Sequence, residues 1–549
     1  MDSAQTPAKT VFSRAWLLFL PPLLACAVHL PVLWSELIWD DESLIIEHPR
    51  LAEPGFYREV FARDYGLEFT PRTPSGYYRP ALMLFNVVLY QAFGKSAAAY
   101  HAAVLVFFSC AAFLLTWLLW KTLRDDCRWL AIAIGCLAAV HPIRTEYAVF
   151  FMSLPDVLLE IAVLLSMAVA ISTPRVLASW LASLVLALLA FAAAISKETS
   201  FVVFGAIGVS LLFCAILMRR DWPPWLLGPA IFAGLACGLG LRRWAGVAAP
   251  SAMDNLTALF DGSGRALQGV GLALRDFILP SHTVFMRWQD APSTPLTSAG
   301  VAVLLIAAAA SVIWLLRRDD LLPALSIAWL GGGLVGLMMI RSANLPYADR
   351  YAPSGALLLG LGLLAAPAWR TIAAKSPRVQ RFVLILVAGG LAVSSAFAWV
   401  STLRCANALV FFGSMAEDEP NLAYPRLVLA NLWFFRYGDF QKMEQNIREA
   451  VAISPDVPAV RASGKLLAKR LIVEQRYAQG LRALDWAGEA LPDDAEIWSL
   501  RATCLAGLRE YPKALAAVDR ARQLQPNHEP YQRQRDRLAA EAADRQSGP

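Results

Sequence analysis

Two adjacent carboxylates, Asp40 and Asp41, follow Trp39 in the stretch LIWDDESLIIEHPRL, where the first long apolar run of the chain ends. Acids in this position are often no more than the solvated end of a membrane helix. A carboxylate at a membrane surface can also take the proton of a hydroxyl group as that hydroxyl attacks a substrate. Either acid is therefore a candidate general base. Asp40 is slightly favoured, because it adjoins the apparent membrane boundary and would be the less solvated of the two.

Further polar clusters lie at the ends of later apolar runs, in the stretches YYRP, HPIRTE, LPD, SKET and YADRYAP. The cations among them are candidate ligands of a phosphate group: Lys197, Arg350, Arg79 and Arg144. The remaining polar side chains are candidates for orienting a substrate: His141, Glu146, Asp156, Glu198, Asp349 and Tyr78. Taken singly, each is more simply explained as a solvated helix end, and Tyr78 as part of an interfacial aromatic belt.

Carboxylates and cations gathered at one membrane face suit sugar transfer from a lipid phosphate. A carboxylate would activate the acceptor hydroxyl, and the cations would hold the departing phosphate. Nucleotide sugars are confined to the cytoplasm, so an extracytoplasmic enzyme would use a lipid-linked donor. A metal site at His48 with the neighbouring acids is not predicted, because no second histidine stands at ligand spacing.

The composition predicts a polytopic membrane protein that positions these clusters. The chain has 549 residues, of which 57% are hydrophobic and 17% charged, and its mean hydropathy is +0.48; soluble domains carry about 25% charged residues. The net charge of +6 comes with no basic arm, so no nucleic-acid binding is predicted. Most of the eight cysteines lie in apolar runs, which indicates neither a disulfide framework nor a CxxC metal site.

About eleven apolar runs approach the roughly 20 residues that a membrane helix needs. They are 15–34, 98–120, 129–143, 157–171, 176–195, 200–218, 225–241, 298–316, 321–340, 354–369 and 381–400. The first has no small-residue cleavage site and is predicted to be an uncleaved span. The segments 77–94 and 264–280 are apolar but short or interrupted, which favours interfacial or re-entrant helices.

The basic residues near span ends predict the orientation, because such residues collect on the cytoplasmic side. A cytoplasmic N-terminus places nearly every compact basic cluster on that side. The loops 35–97 and 242–297, all the polar clusters and the chain beyond about 401 then face the extracytoplasmic side.

The C-terminal part repeats itself with a period of about 34 residues, the tetratricopeptide period. The stretches GDFQKMEQNIREAVAISP, QRYAQGLRALDWAGEALP and REYPKALAAVDRARQLQP align, which matches Phe440 with Tyr477 and Tyr511. The predicted organisation is a membrane domain over 1–400, a linker over 401–419, repeats over 420–535 and a polar tail over 536–549. Such repeats commonly bind peptides or partner proteins, and a purely structural cap is the alternative.

An acidic pair after the first span, followed by YYRPALMLFNVVLY, AAYHAAVLVFF, HPIRTEYAVFFMSLPDVL, ISKETSFVVFG and LPYADRYAPSG, resembles the transmembrane-and-tetratricopeptide-repeat proteins. These are O-mannosyltransferases of the GT-C class, related to the protein O-mannosyltransferases. The resemblance covers nearly the whole chain. It implies an all-α fold, a multispanning GT-C-type domain followed by a small extracytoplasmic repeat solenoid. It also implies an inverting, metal-independent transfer of mannose or another hexose from a polyprenyl-phosphate donor, with no other cofactor, and catalysis by Asp40 or Asp41.

The chain departs from the family in having only about three repeats, so the acceptor stays open between a protein Ser/Thr hydroxyl, a glycolipid and a cell-wall glycan. The repeats favour a protein or peptide partner. The Ala-, Leu- and Arg-rich composition indicates a bacterial inner membrane with the repeats in the periplasm, or the endoplasmic reticulum membrane if the source is eukaryotic. A transporter or flippase, and a non-catalytic membrane scaffold, are the alternatives from other classes.

Overall fold

The computed structural model describes residues 15–48, 50–65, 76–172, 176–217, 226–247, 275, 277–278, 294–338, 354–373, 377–453, 458–491 and 493–546. These residues form helices and connecting segments, with no strand among them. The chain divides into two compact units, Met1–Asn407 and Ala408–Pro549. The predicted all-helical character is confirmed over the described residues.

The helices of the first unit are numbered here in chain order. They are α1 Leu20–His29, α2 Phe56–Glu59, α3 Pro80–Phe93, α4 Ala97–Thr122, α5 Arg128–Val140, α6 Thr145–Val149, α7 Leu154–Ser172, α8 Val176–Ala194, α9 Ser200–Leu217, α10 Leu227–Trp244, α11 Pro295–Leu316, α12 Leu321–Met338, α13 Ser354–Ala373 and α14 Pro377–Arg404. Short 3-10 turns, Ala15–Phe19 and Leu30–Trp34, flank α1.

Six helical segments are long and apolar enough to cross a membrane: Ala15–Trp34, Ala97–Thr122, Phe151–Ser172, Pro295–Leu316, Ser354–Ile372 and Pro377–Arg404. A seventh results if Asp125–Val140 and Pro142–Val149, which are bent by 57° from each other, form one broken span. The predicted spans 176–195, 200–218, 225–241 and 321–340 correspond to α8, α9, α10 and α12 within the described residues, but their crossing of the membrane stays a prediction. The structure is thus consistent with a membrane protein of six or seven clear spans among the described residues.

Small residues allow the helices of this unit to approach closely. A Cβ atom added to Gly135 of α5 would lie 1.9 Å from the Thr116 hydroxyl oxygen of α4. A Cβ atom added to Gly234 of α10 would lie 2.1 Å from the carbonyl oxygen of Ala187 in α8. Close backbone approach at small residues is typical of helix packing in membranes, where van der Waals contact contributes much of the association.

The first extracytoplasmic loop of the prediction is compact where the structure describes it. It contains one π-helical turn, Glu42–Ile46, and the helices α2 and α3. The Asn86 side chain of α3 donates a 2.8 Å hydrogen bond to the carbonyl of Leu44, and Lys95 donates one of 2.7 Å to the carbonyl of Ile46. These bonds attach the segment after the acidic pair to α3. With 14 residues, α3 is too short to span, as expected for 77–94.

The second unit consists of α15 Ala408–Asp418, α16 Ala423–Phe435, α17 Phe440–Ile453, α18 Pro458–Val473, α19 Tyr477–Ala490, α20 Ala495–Gly507, α21 Tyr511–Leu524 and α22 Glu529–Gln546. Helix α15 occupies most of the predicted linker 401–419, and α22 continues through most of the predicted polar tail. Helix α15 is mostly apolar and buries Phe411, Phe412 and Met415. Helix α22 is rich in charged residues, which are compatible with an exposed helix face.

The aligned aromatic residues of the repeat each begin a helix, since Phe440, Tyr477 and Tyr511 are the first residues of α17, α19 and α21. The neighbouring helices pack closely here as well. A Cβ atom on Gly507 would lie 2.4 Å from the Tyr477 ring. The regular alternation of helix pairs therefore follows the sequence period.

Candidate active site

The acidic pair follows a strained residue. Trp39 has φ +60°, a left-handed conformation that is uncommon for a bulky side chain and persists only where the surroundings enforce it. Its indole ring packs edge-on against Phe150, with ring centroids 5.7 Å apart. The strained turn thus brings the acidic pair against the segment before α7.

Asp41 is fully buried and bound to the backbone of that segment. Its side chain is 0% exposed, and its two carboxylate oxygens accept hydrogen bonds from the amides of Phe151 at 2.7 Å and Met152 at 2.8 Å. Burial raises the pKa of Asp41 to about 7, and the negative charge of Asp40 acts in the same direction. The two hydrogen bonds from the amides stabilise the carboxylate and lower the pKa in part. Asp41 therefore has the contacts of a positioning group.

The expectation that Asp40 is the less solvated of the two acids is wrong, because Asp41 is the fully buried one. The side chain of Asp40 is half-buried, and within the described part of the chain no hydrogen bond to its carboxylate oxygens is found. Burial raises the pKa of Asp40 to about 6, and the nearby positive charge of Arg79 lowers it in part. A carboxylate that is partly desolvated and without a donor is well suited to accept a proton near neutral pH.

Arg79, the cation that acts on Asp40, belongs to one of two neighbouring ion pairs. Arg79, the residue before α3, donates from Nε at 3.2 Å and from Nη2 at 3.1 Å to one oxygen of Glu198. The other oxygen of Glu198 accepts the amide of Tyr78 at 3.0 Å. Lys197, next in the chain to Glu198, pairs with Asp156 of α7. Two of the four predicted cations, Arg79 and Lys197, are therefore paired with predicted acids.

Arg79 links the cluster electrostatically. Burial opposes its charge, but Glu198, Tyr65 and Asp156 act in the other direction and raise the pKa of Arg79 above its ordinary value. Arg79 in turn acts on Asp40. The structure thus brings together side chains that are widely separated in sequence: Asp40, Asp41, Arg79, Asp156, Lys197 and Glu198.

The sequence interpretation missed two aromatic residues at Arg79. The Arg79 guanidinium carbon lies 4.8 Å from the ring centroid of Tyr77 and 5.7 Å from that of Tyr65. The amide of Tyr65 donates to the carbonyl of Tyr77 at 2.9 Å, and Asp64 accepts the amide of Gly76 at 2.7 Å. Tyr65 stands in no quoted motif, so only this pairing of distant backbone segments reveals it.

Tyr78 does not fit the predicted role of contacting a substrate. It is 1% exposed, and its hydroxyl donates to the carbonyl of Phe61 at 2.7 Å. Its neighbour Tyr77 is 40% exposed and covers Arg79. In the YYRP motif, the accessible ring is therefore the first tyrosine, because successive residues of the extended segment before α3 face opposite sides.

The HPIRTE motif is largely buried. The His141 ring accepts the amide of Ile143 on Nδ1 at 3.3 Å, so Nε2 donates to the carbonyl of Phe277 at 2.9 Å. Arg144 is 0% exposed and donates to both oxygens of Glu160 at 3.0 and 2.8 Å. The geometry supports structural roles for His141 and Arg144, and a phosphate ligand at Arg144 is not favoured. Glu160, the partner of Arg144, was absent from the predicted set.

The positions of three further predicted residues, Glu146, Asp349 and Arg350, are as follows. Glu146 is half-buried in the first turn of α6, near Arg144 in the chain. Asp349 and Arg350 lie outside the described residues, so their predicted roles stay predictions. Within the described ranges, no group of three or more His, Cys, Asp or Glu side chains is arranged to hold a metal ion.

No protein-family model, curated protein or solved structure matches this chain. The geometry of the acidic cluster is therefore what a functional hypothesis for this chain can be argued from.

Proposed function

We propose that this protein is an integral-membrane glycosyltransferase that moves a sugar, mannose or another hexose, from a polyprenyl-phosphate donor to a hydroxyl acceptor. The observation that carries the proposal is the contrast between Asp41, whose carboxylate is bound by two amides, and Asp40, whose carboxylate is half-buried beside a cation. Such a pair supplies a base and the group that positions it.

In the proposed step, Asp40 accepts the proton of the acceptor hydroxyl as its oxygen attacks the anomeric carbon of the sugar. The bond from that carbon to the phosphate oxygen breaks, and the phosphate leaves with the electron pair. Attack from the side opposite the phosphate inverts the anomeric configuration. The phosphate needs no acid, because cations compensate its charge.

Arg79 and Lys197 are the proposed phosphate ligands. The contact of Arg79 with Glu198 uses Nε and Nη2, so Nη1 can donate to an incoming oxygen. Lys197, which pairs with Asp156, would act on the phosphate through its positive charge. The acids Glu198 and Asp156 would hold the two cations in place before the donor binds.

The second unit supports a protein or peptide acceptor. We infer that its helix pairs form a tetratricopeptide-type solenoid of three repeats, because the 34-residue period coincides with the helix starts at Phe440, Tyr477 and Tyr511. We place this unit outside the cytoplasm, in the periplasm for a bacterial inner membrane, following the distribution of basic residues.

A transporter is the less favoured function. Charges that line a pathway must be accessible from it, whereas Arg144 and Glu160 form a buried pair whose side chains are 0% and 6% exposed.

The test compares glycopeptides and glycolipids from cells with and without the protein, complemented by the wild type or by Asp40→Asn. The expected result is a hexose lost from Ser/Thr peptides in the knockout and restored only by the wild type. A hexose lost from a glycolipid instead would change the acceptor. Full restoration by Asp40→Asn would refute the proposed base.

A topology reporter provides an independent check. A reporter fused after residue 401 should give an extracytoplasmic signal. A cytoplasmic signal there would contradict the proposed sidedness.

A further inference from the structure

The acidic segment and the segment before α7 meet at several points. Asp41 accepts the amides of Phe151 and Met152, and the Trp39 ring packs on Phe150. These contacts lie at one end of the junction. At its other end, between the backbones of Glu36 and Val149, lies a histidine for which the proposed reaction has no role.

His101 is in the second turn of α4 and is 1% exposed. Its Nδ1 lies 2.9 Å from the carbonyl oxygen of Val149, and its Nε2 lies 3.3 Å from the carbonyl oxygen of Glu36. Carbonyl oxygens only accept hydrogen bonds. A neutral imidazole donates from one nitrogen, and the imidazolium form donates from both. The neutral ring can therefore bond either carbonyl, and the protonated ring bonds both.

The helix that bears His101 is itself well supported. The preceding residue, Tyr100, packs edge-on against Phe151 with ring centroids 5.0 Å apart, and its hydroxyl bonds the side-chain oxygen of Asn86 at 3.1 Å. The amide of Glu36 donates to the carbonyl of Ala406 at 2.9 Å. His101 thus joins two backbone segments from a rigid position on α4.

We propose that His101 is a positioning residue for the acidic pair, which it holds by tying Glu36 to Val149. The expected effect of His101 on catalysis rests on the proposed function. Its expected effect on the position of the two segments rests only on the hydrogen bonds. Glu36 is four residues before Asp40, and Val149 is two residues before the amide that binds Asp41. Loss of the tie would let the two segments shift, and misplacement of a catalytic group by about 1 Å can reduce a rate about 100-fold.

Three substitutions separate the two bonds. In His101→Asn the amide nitrogen replaces the donor at Nδ1 and keeps the shorter bond, to Val149. In His101→Gln it replaces the donor at Nε2 and keeps the longer bond, to Glu36. His101→Leu keeps neither. The matched control is His29→Leu, because His29 is also fully buried and bonds Thr402 at 2.8 Å and the Ala139 carbonyl at 3.2 Å, away from the acidic segment.

The first measurement is hydrogen exchange of the full-length protein in lipid nanodiscs without substrate, read on the peptide that contains the amides of Phe151 and Met152. We expect exchange to be about ten-fold faster or more in His101→Leu, intermediate in His101→Gln and nearest to wild type in His101→Asn, because local opening controls exchange. The control should leave this peptide unchanged. If His101→Leu does not fold, the comparison of the Asn and Gln variants still decides.

The second measurement is sugar transfer by the same variants. The turnover number should fall in the same order while the KM for the lipid-linked donor stays unchanged, because the tie lies on the acidic side of the site. Unchanged exchange in His101→Gln and His101→Leu would overturn the positioning role. If the His101 variants exchange faster but the wild type transfers no sugar, the proposed function is overturned, and the role of His101 in joining the two segments still holds.

Discussion

Replacing Asp40 by Asn removes the proposed base and leaves the side-chain volume nearly unchanged. Loss of a general base typically lowers the rate about 10²–10⁴-fold, and we expect the turnover number for sugar transfer to fall within this range. The assay follows transfer from a polyprenyl-phosphate hexose to a peptide in detergent or nanodiscs. Glu47→Gln is the matched control, because Glu47 is exposed in the same loop and should give the wild-type rate.

The pH dependence of the wild type gives a sharper test. Burial raises the pKa of Asp40 to about 6, and only the ionised form accepts a proton. The rate should therefore rise with pH to a plateau above about 7, and at pH 5 about one tenth of the sites would be active, by the titration relation. An ordinary aspartate pKa would leave more than about nine tenths of the sites active at pH 5.

The same pKa predicts a stability difference. Because the folded-state pKa is raised from 3.8 to about 6, ionisation of Asp40 is less favourable in the folded protein than in the unfolded chain. The contribution of Asp40 to stability should fall as the pH rises from about 4 through about 6, by up to about 3 kcal/mol at 1.36 kcal/mol per pKa unit. Asp40→Asn should lack this contribution, while the loss that comes from Asp41, whose pKa is also raised, remains in both proteins. Thermal unfolding at pH 4 and pH 8 should therefore show a smaller loss of stability in the variant than in the wild type.

Two results would refute the reasoning on Asp40. A transfer rate that stays constant from pH 7 to pH 5 would show that no group with this raised pKa acts as the base. An Asp40→Asn enzyme with the wild-type rate would show that the carboxylate is not needed at all.

Arg79→Lys should raise the KM for the donor about ten-fold or more, because lysine lacks the planar group that can both pair with Glu198 and hold a second N–H in a fixed direction toward the phosphate. Glu198→Gln should also raise the KM for the donor, by less. An unchanged KM in both variants would exclude this phosphate site. Gly234→Ala should destabilise the protein by about 1–3 kcal/mol through overpacking against the α8 backbone. The control is Gly240→Ala on the same helix, which should not destabilise the protein, because a Cβ atom added there meets nothing within 4 Å. Equal melting temperatures of the two variants would contradict the close packing at Gly234. Arg144→Met should cost about 3–5 kcal/mol in thermal unfolding, because it leaves a buried carboxylate unpaired, and a melting temperature equal to wild type would argue against the pair.

Sequence reasoning predicted the helices well, because hydropathy and period are local properties. The helix starts at Phe440, Tyr477 and Tyr511 follow from the repeat. It predicted the lengths of some spans less well. The run 129–143 ends at a break between two helical segments, Asp125–Val140 and Pro142–Val149, which are bent by 57° from each other. Pro142 has no amide N–H to donate and interrupts the helix there.

The candidate site was only partly predictable. The choice of acids and cations came from their positions at span ends, and Asp40, Arg79 and Lys197 do lie in one cluster. Sequence position could not distinguish Tyr77 from Tyr78, or Arg144 from Arg79, because each pair consists of similar residues in similar motifs. Burial separates them, and burial depends on neighbours that are distant in the chain.

The sequence alone determined that this is an all-helical protein with membrane-length apolar helices, a C-terminal repeat and an acidic pair after the first span. Each of these depends on composition or on spacing within one segment. The tertiary structure decided that Asp41 is bound by the amides of Phe151 and Met152, more than a hundred residues away in the chain, and that Asp40 is not. Helix packing sets such a difference between adjacent and chemically identical side chains, because it determines which backbone donors come within hydrogen-bonding distance of each.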